Sequence, residues 1–102
     1  MHSTNMPQLI FITTESCYSC SRMRADLDLL IESNRIVIPC EEVVVDNVNI
    51  EKVVHKYQIE GFPTLIYLNG HSEVCRWQGY FSSDIQDTPS MMEHEINKAV
   101  RT

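Results

Sequence analysis

Leu9-Ile10-Phe11-Ile12-Thr13-Thr14-Glu15-Ser16-Cys17-Tyr18-Ser19-Cys20 joins a short apolar run to a pair of thiols, and the residues after it repeat with helical spacing. An apolar run followed by an amphipathic helix puts the cysteines at a strand-to-helix turn. Two thiols at this spacing can close into a disulfide. A helix that begins at the first cysteine directs its free backbone N–H groups and the positive end of its dipole at that sulfur, favouring thiolate over thiol. The segment reads as a redox site.

Working outward, the chain alternates between strand and helix patterns. Gln8 to Thr13 reads as a strand without strict alternation, as expected when helices cover both faces. The helix over Cys17 to Ser33 spaces Met23, Leu27, Leu30 and Ile31 for one buried stripe, and Cys20 lies one turn before Met23 and Arg24, so it faces inward. Glu41 to Asp46, with Val43, Val44 and Val45, is a second strand. Asn49 to Tyr57 is a helix with Ile50, Val53, Val54 and Tyr57 on one face. Gly61 and Pro63 break the chain before Thr64 to Leu68, a β-branched and aromatic strand. Asn69-Gly70 marks a turn into its antiparallel partner, Glu73 to Gln78. A last helix carries Met92, Ile96, Ala99 and Val100, with Thr88 or Ser90 as cap, Pro89 in the first turn and a Ser90–Glu93 capping box. The segment from Gly79 to Thr88 is polar and carries no clear pattern. The order β-α-β-α-β-β-α implies an α/β fold with a mixed four-stranded sheet flanked by helices.

Composition narrows the field of functions. At 102 residues, 43% of them hydrophobic, with three glycines, four prolines and no repeats, residues 1–102 form one domain with a real core. A formal net charge of −6 with scattered Lys and Arg offers no track for a phosphate backbone, so nucleic acid is not an expected partner. Met1 to Pro7 is polar without a cationic start, and the apolar run after it is too short for a signal-peptide core or a membrane span. These features give the expectation of a soluble, cytoplasmic monomer. In a reducing compartment a close cysteine pair is more often catalytic or metal-binding than structural.

The block Val43 to Asp46, then Tyr57-Gln58-Ile59-Glu60-Gly61-Phe62-Pro63-Thr64-Leu65, then Asn69-Gly70 and Gly79, resembles the second half of a thioredoxin. Together with the CxxC pair about 40 residues before Gly-Phe-Pro-Thr, the resemblance to the thioredoxin superfamily covers about Gln8 to Gly79. It implies a compact thioredoxin fold and a thiol–disulfide oxidoreductase that reduces protein disulfides. Cys17 would attack the substrate disulfide and Cys20 would resolve the mixed disulfide. Pro63 would follow a cis bond, and Phe62 would pair with an extended substrate. Tyr18, Ser19 and Gly79 would border the substrate groove. The redox-active disulfide would be the only cofactor, and a flavin-dependent thioredoxin reductase or glutathione would supply electrons.

The chain also departs from that family. Ser16 stands where thioredoxins place tryptophan, Tyr18-Ser19 replaces Gly-Pro, and Phe11 occupies the position of a buried aspartate, leaving water as the expected proton acceptor for Cys20. In size the core is nearer to a glutaredoxin, and Ser82-Ser83-Asp84 resembles a glutathione-binding helix start. Two alternative readings follow from these departures, a glutathione-linked activity and a redox-inactive binding module.

Each residue also has a structural reading. Tyr18 is either a solvent-facing residue of the first turn or a rim aromatic that touches substrate. A zinc site needs four tetrahedral ligands, whereas Cys40 and Cys75 are single and far apart in sequence, so no metal is expected. Both are read as buried or half-buried hydrophobes. The inferred strand order 2-1-3-4 puts them about 14 Å apart, beyond disulfide reach. Trp77 is read as packing, His2, His55, His71 and His94 as surface, Met91-Met92 as helix core, and Asp46 as a local turn contact.

Overall fold

Among residues 6–80 and 88–101, which the computed structural model describes, seven elements follow one another. They are β1 (Pro7–Thr14), α1 (Tyr18–Glu32), β2 (Cys40–Val45), α2 (Ile50–Tyr57), β3 (Thr64–Asn69), β4 (Ser72–Gln78) and α3 (Thr88–Val100). The sheet order is β2-β1-β3-β4, with β1 parallel to β2 and antiparallel to β3, and β4 antiparallel to β3. Ser82-Ser83-Asp84 and His2 lie outside the described residues.

Burial of β1 on both sides explains why its sequence does not alternate. Leu9 and Phe11 join Met23, Leu27 and Leu30 of α1 and Met92 and Ile96 of α3 on one face. Ile10 and Ile12 join Val53 of α2, with Val54 and Tyr57 packed against them, on the other. Successive strand residues point to opposite faces, so a strand covered on both is apolar throughout. Each fully buried side chain of this kind contributes about 1.5–3 kcal/mol. Ile50 departs from the expected α2 stripe: as the first residue of the helix it is 42% exposed. Met91 is likewise exposed while Met92 is buried, because adjacent helical residues point about 100° apart.

Short polar contacts set the connections. Asp46 Oδ1 accepts from the backbone N–H groups of Val48 and Asn49, while Asn49 Oδ1 accepts from the Asp46 N–H and Asn49 Nδ2 donates to the Val44 carbonyl. Gly70 takes φ 68°, as the Asn69-Gly70 turn requires. Between β3 and β4, Tyr67 pairs with Cys75 but Leu68 with Glu73, so Val74 is bulged out. The capping box at Ser90–Glu93 does not form. Helix α3 already begins at Thr88, and both side chains instead hold Arg35, whose Nε donates to Glu93 Oε1 at 2.7 Å and whose Nη2 donates to Ser90 Oγ at 3.2 Å.

Cys40, Leu9, Tyr67 and Cys75 are successive register partners across all four strands. The two cysteines thus end one row, about three strand spacings of about 4.8 Å apart, and both are free thiols.

A second clamp joins α1 to the β2 edge. Arg24 Nε and Nη2 donate to both oxygens of Glu42, at 2.9 and 2.6 Å, and the buried Thr13 hydroxyl donates to Glu42 Oε2 at 2.7 Å. The Arg24 hydrogen bonds hold the Glu42 carboxyl below the usual carboxylate range, with Thr13 adding to the effect and partial burial opposing it. A depressed folded-state value stabilises the fold above the unfolded value, about 4.3, and this contribution is lost as pH falls through the folded value. Between pH 5 and 3, about, the urea midpoint of the Glu42→Gln variant should therefore fall less steeply than that of the wild type. Glu73, held down in the same way by Arg76, remains in both proteins, so equal slopes would show that Glu42 carries no such linkage.

Candidate functional site

The register of the sheet gathers the site at one end. Ile12 pairs with Thr64 and Thr64 with Gln78, so the chain leaving β1, the Phe62–Pro63 segment entering β3 and Gly79 leaving β4 meet beyond the same edge. The Gly79 N–H donates to the Pro63 carbonyl at 2.8 Å, and Thr64 Oγ1 donates to the Gly61 carbonyl at 2.8 Å. The Phe62–Pro63 peptide bond is cis. Pro63 is buried, Phe62 half-buried and packed on the α2 side of the core, and Gly79 takes φ 86°, a conformation that side chains rarely adopt.

Cys17 is the N-cap of α1. Its backbone is extended, and its Sγ accepts from the Cys20 N–H at 3.1 Å. The sulfur thereby does what a Ser or Asp oxygen does at most helix starts, satisfying one orphan donor of the first turn. The first turn of α1 contains no acidic residue, so the helix's positive end at Cys17 is not offset there. Cys17 and Cys20 are joined by a disulfide, with 5.2 Å between their Cα atoms. Cys17 is half-buried while Cys20 is fully buried. Ser16 turns the chain into the helix with φ 57°.

A shallow cleft of about 380 Å³ opens at Cys17, lined also by Thr14, Glu15, Ser16, Tyr18, Ser21 and Arg24. Phe62, Pro63, Gly79 and Ser19 are not part of its lining. A larger hollow of about 480 Å³ lies at the opposite end of β3 and β4, near Gly70, and contains no thiol. Among the described residues no group of three or more His, Cys, Asp or Glu is placed to hold a metal ion. No helix among them is long and apolar enough to cross a membrane.

Two residues that the sequence does not single out lie beside Tyr18, outside the lining of that cleft. Arg22 lies between the rings of Tyr18 and Tyr80, and Tyr80 directly follows Gly79. The i, i+4 spacing of Tyr18 and Arg22 is readable in the sequence, but the second ring comes from about 60 residues away and only the fold brings it near. Phe11 is in the core, as its type requires, at the position where a thioredoxin carries an acid.

The comparisons with known proteins agree with this fold. A family model for the thioredoxin-like domain matches residues 1–88. The chain belongs to the thioredoxin-like domain family. Solved structures share its fold at low identity. Trxlp of Edwardsiella tarda superposes with a TM-score of 0.72 at 20% identity, over 90% of this chain and 82% of that one. Thioredoxin f2 of Chlamydomonas reinhardtii gives 0.72 at 16% identity, over 93% and 80%. Thioredoxin of Trypanosoma brucei brucei gives 0.71 at 13%, over 98% and 80%. No curated protein matches the chain. The thioredoxin-like fold and its close cysteine pair point to thiol–disulfide chemistry.

The other two thiols are unlike this pair. Burial, with the nearby Asp28 and Glu42 charges, pushes the Cys40 thiol up to about 11, and burial together with the Glu73 and Glu95 charges also raises Cys75. At pH 8 a thiol with a pKa of about 11 is only about one part in a thousand thiolate, the nucleophilic form. In a timed iodoacetamide reaction of the oxidised protein, followed by peptide mass mapping, Cys75 should be modified well before Cys40. Alkylation of Cys40 at the rate of Cys75 would contradict this ordering.

Proposed function

We propose that the chain is a dithiol–disulfide oxidoreductase that reduces protein disulfides through Cys17 and Cys20. The observation that carries this reading is the asymmetry of the pair: Cys17 accessible at the helix start with its sulfur capping α1, Cys20 fully buried one turn behind it.

The reaction balances with these two side chains alone. The Cys17 thiolate attacks one sulfur of the substrate disulfide; that S–S bond breaks, a Cys17–substrate disulfide forms, and the other substrate sulfur departs as a thiolate that takes a proton from water. Cys20, having lost its proton, then attacks Cys17 Sγ, and the second substrate thiolate leaves. Two electrons pass from the protein dithiol to the substrate, and the Cys17–Cys20 disulfide remains. An external dithiol or glutathione returns the protein to its reduced form, and water accepts the Cys20 proton. The helix start lowers the cost of the Cys17 thiolate both as nucleophile and as leaving group.

Phe62, Pro63 and Gly79 supply the rest of the reading. Pro63 has no N–H, so the Phe62 backbone and the open Gly79 turn can meet an extended peptide without a competing side chain. Tyr18 and Ser19 border that peptide from the helix side, and protein disulfides are the substrates. The compartment in keeping with such a reductant is the cytoplasm.

Cys17→Ser should lose turnover of a protein disulfide with dithiol as reductant, whereas Cys20→Ser should accumulate a mixed disulfide visible as an added mass that dithiol removes. Full activity of Cys20→Ser would replace the two-thiol route with a glutathione-linked monothiol route. The midpoint potential, read by equilibration against defined dithiol buffers, should fall toward about −270 mV, the range of a reductant, rather than about −120 mV. Absence of any reversible two-electron couple would leave the fold as a binding module.

A further inference from the structure

Next to Cys17 the surface of α1 holds a cation between two aromatic rings. The Arg22 guanidinium carbon is 5.8 Å from the centroid of Tyr18 and 5.7 Å from that of Tyr80, and Arg22 Nη1 donates to the Tyr18 hydroxyl oxygen at 3.0 Å. The Tyr80 hydroxyl in turn donates to Asp26 Oδ2 at 2.6 Å, one helical turn beyond Arg22. Tyr18 is 74% exposed, and Arg22 is exposed. Gly79, which precedes Tyr80, is tied to the Pro63 carbonyl, so this aromatic and cationic ledge adjoins the groove assigned to substrate.

Arg22 differs from the other arginines that bridge elements. Arg24, Arg35 and Arg76 each face a carboxylate at 2.6 or 2.7 Å. Among the described residues no carboxylate forms an ion pair with Arg22. The nearest candidate on its own helix, Asp26 at i+4, is occupied by Tyr80. A guanidinium carries five N–H donors in a fixed fork, suited to a carboxylate, and stacking on rings holds that fork in place without neutralising it. The fork is thus oriented and still offers donors to a partner.

The spacing limits where that carboxylate can come from. Tyr18 lines the Cys17 cleft and accepts from Arg22, so a carboxylate that reaches Arg22 past Tyr18 comes from chain close to the cysteine held at Cys17. The geometry points to Tyr18, Arg22 and Tyr80 as a specificity ledge that selects disulfide substrates bearing Asp or Glu within a few residues of the cysteine that Cys17 attacks. This inference rests on the oxidoreductase reading. The net charge of −6 disfavours acidic partners at a distance, so the ledge acts at contact range as a selector rather than as a steering field.

The test uses reduced protein and short peptides with a single cysteine activated as a mixed disulfide with thiopyridine, carrying Glu, Gln or Lys two residues from the cysteine. Cys17 attack on the peptide sulfur breaks the S–S bond and releases thiopyridine, whose absorbance gives the rate in a single turnover; Cys20 then frees the peptide thiol, with the protein dithiol as sole reductant. The wild type should react with the Glu peptide about five- to tenfold faster than with the Lys peptide, the size of a partly exposed charge pair, and the ratio should shrink as salt rises. Arg22→Gln should bring the ratio close to one, Arg22→Lys should keep part of it, and Arg22→Glu should invert it. Equal rates for the three peptides in the wild type, or a preference that survives Arg22→Gln, would overturn the ledge. If the wild type releases no thiopyridine from any peptide, nor from the neutral disulfide dithiodipyridine, the oxidoreductase reading fails instead, so the two failures are told apart.

Discussion

Pairing of β1 with a parallel neighbour on one side and an antiparallel one on the other is the constraint on which the rest of the structure depends. A strand flanked on both edges and both faces has no solvent side, so Leu9, Ile10, Phe11 and Ile12 all need apolar partners. Those partners are α1 and α3 on one face and α2 on the other. With β3 antiparallel to β1, the chain enters β3 where it leaves β1, which brings the Phe62–Pro63 segment to the end of the sheet where Cys17 begins α1. That the cysteine pair, the proline and Gly79 lie at the same end of the sheet is therefore a consequence of strand direction.

Electrostatics at that end of the sheet are arranged by what each helix residue is already bound to. The N-terminal charge of α1 is left uncompensated by side chains of its first turn, so it acts on Cys17. One turn deeper, Arg24 is neutralised by Glu42 and serves to fasten the helix to β2. On the outer flank, Asp26 is taken by Tyr80 and Arg22 by two rings. A single helix thus carries a polarised sulfur, a structural ion pair and a cation without a carboxylate partner among the described residues, separated by less than two turns. The free thiols show the converse: Cys40 and Cys75 sit at the two ends of one row across the sheet, away from any helix start, and burial drives them toward the inert protonated form.

Much of the fold was legible in the sequence because its signals are local. The apolar run at Leu9 to Ile12, the Met23-Leu27-Leu30 stripe, the Asn69-Gly70 turn and the helix start at Cys17 each follow from spacing and backbone preference. The misreadings were of residues whose partners are distant. Ile50 and Met91 fit a helical apolar face yet are exposed, Ile50 at the first position of its helix and Met91 turned about 100° from the buried Met92. Ser90 and Glu93 have the spacing of a cap, but an arginine from the α1–β2 connection engages both.

The same division holds for the site. By itself the chain determined that Cys17 and Cys20 share a helix start and that only the second points inward, since helical periodicity and chain direction decide both. It also determined that Cys40 and Cys75 do not pair, once the strand order was inferred. Only the tertiary structure decided which side chains surround the pair: that Glu42 answers Arg24 and Thr13, and that Tyr80, about 60 residues from Tyr18, closes on Arg22. The physical reason is range. Backbone preference and amphipathic spacing act over a few residues, whereas the partner of an exposed charge or ring is chosen by strand order and loop path, which no local pattern encodes.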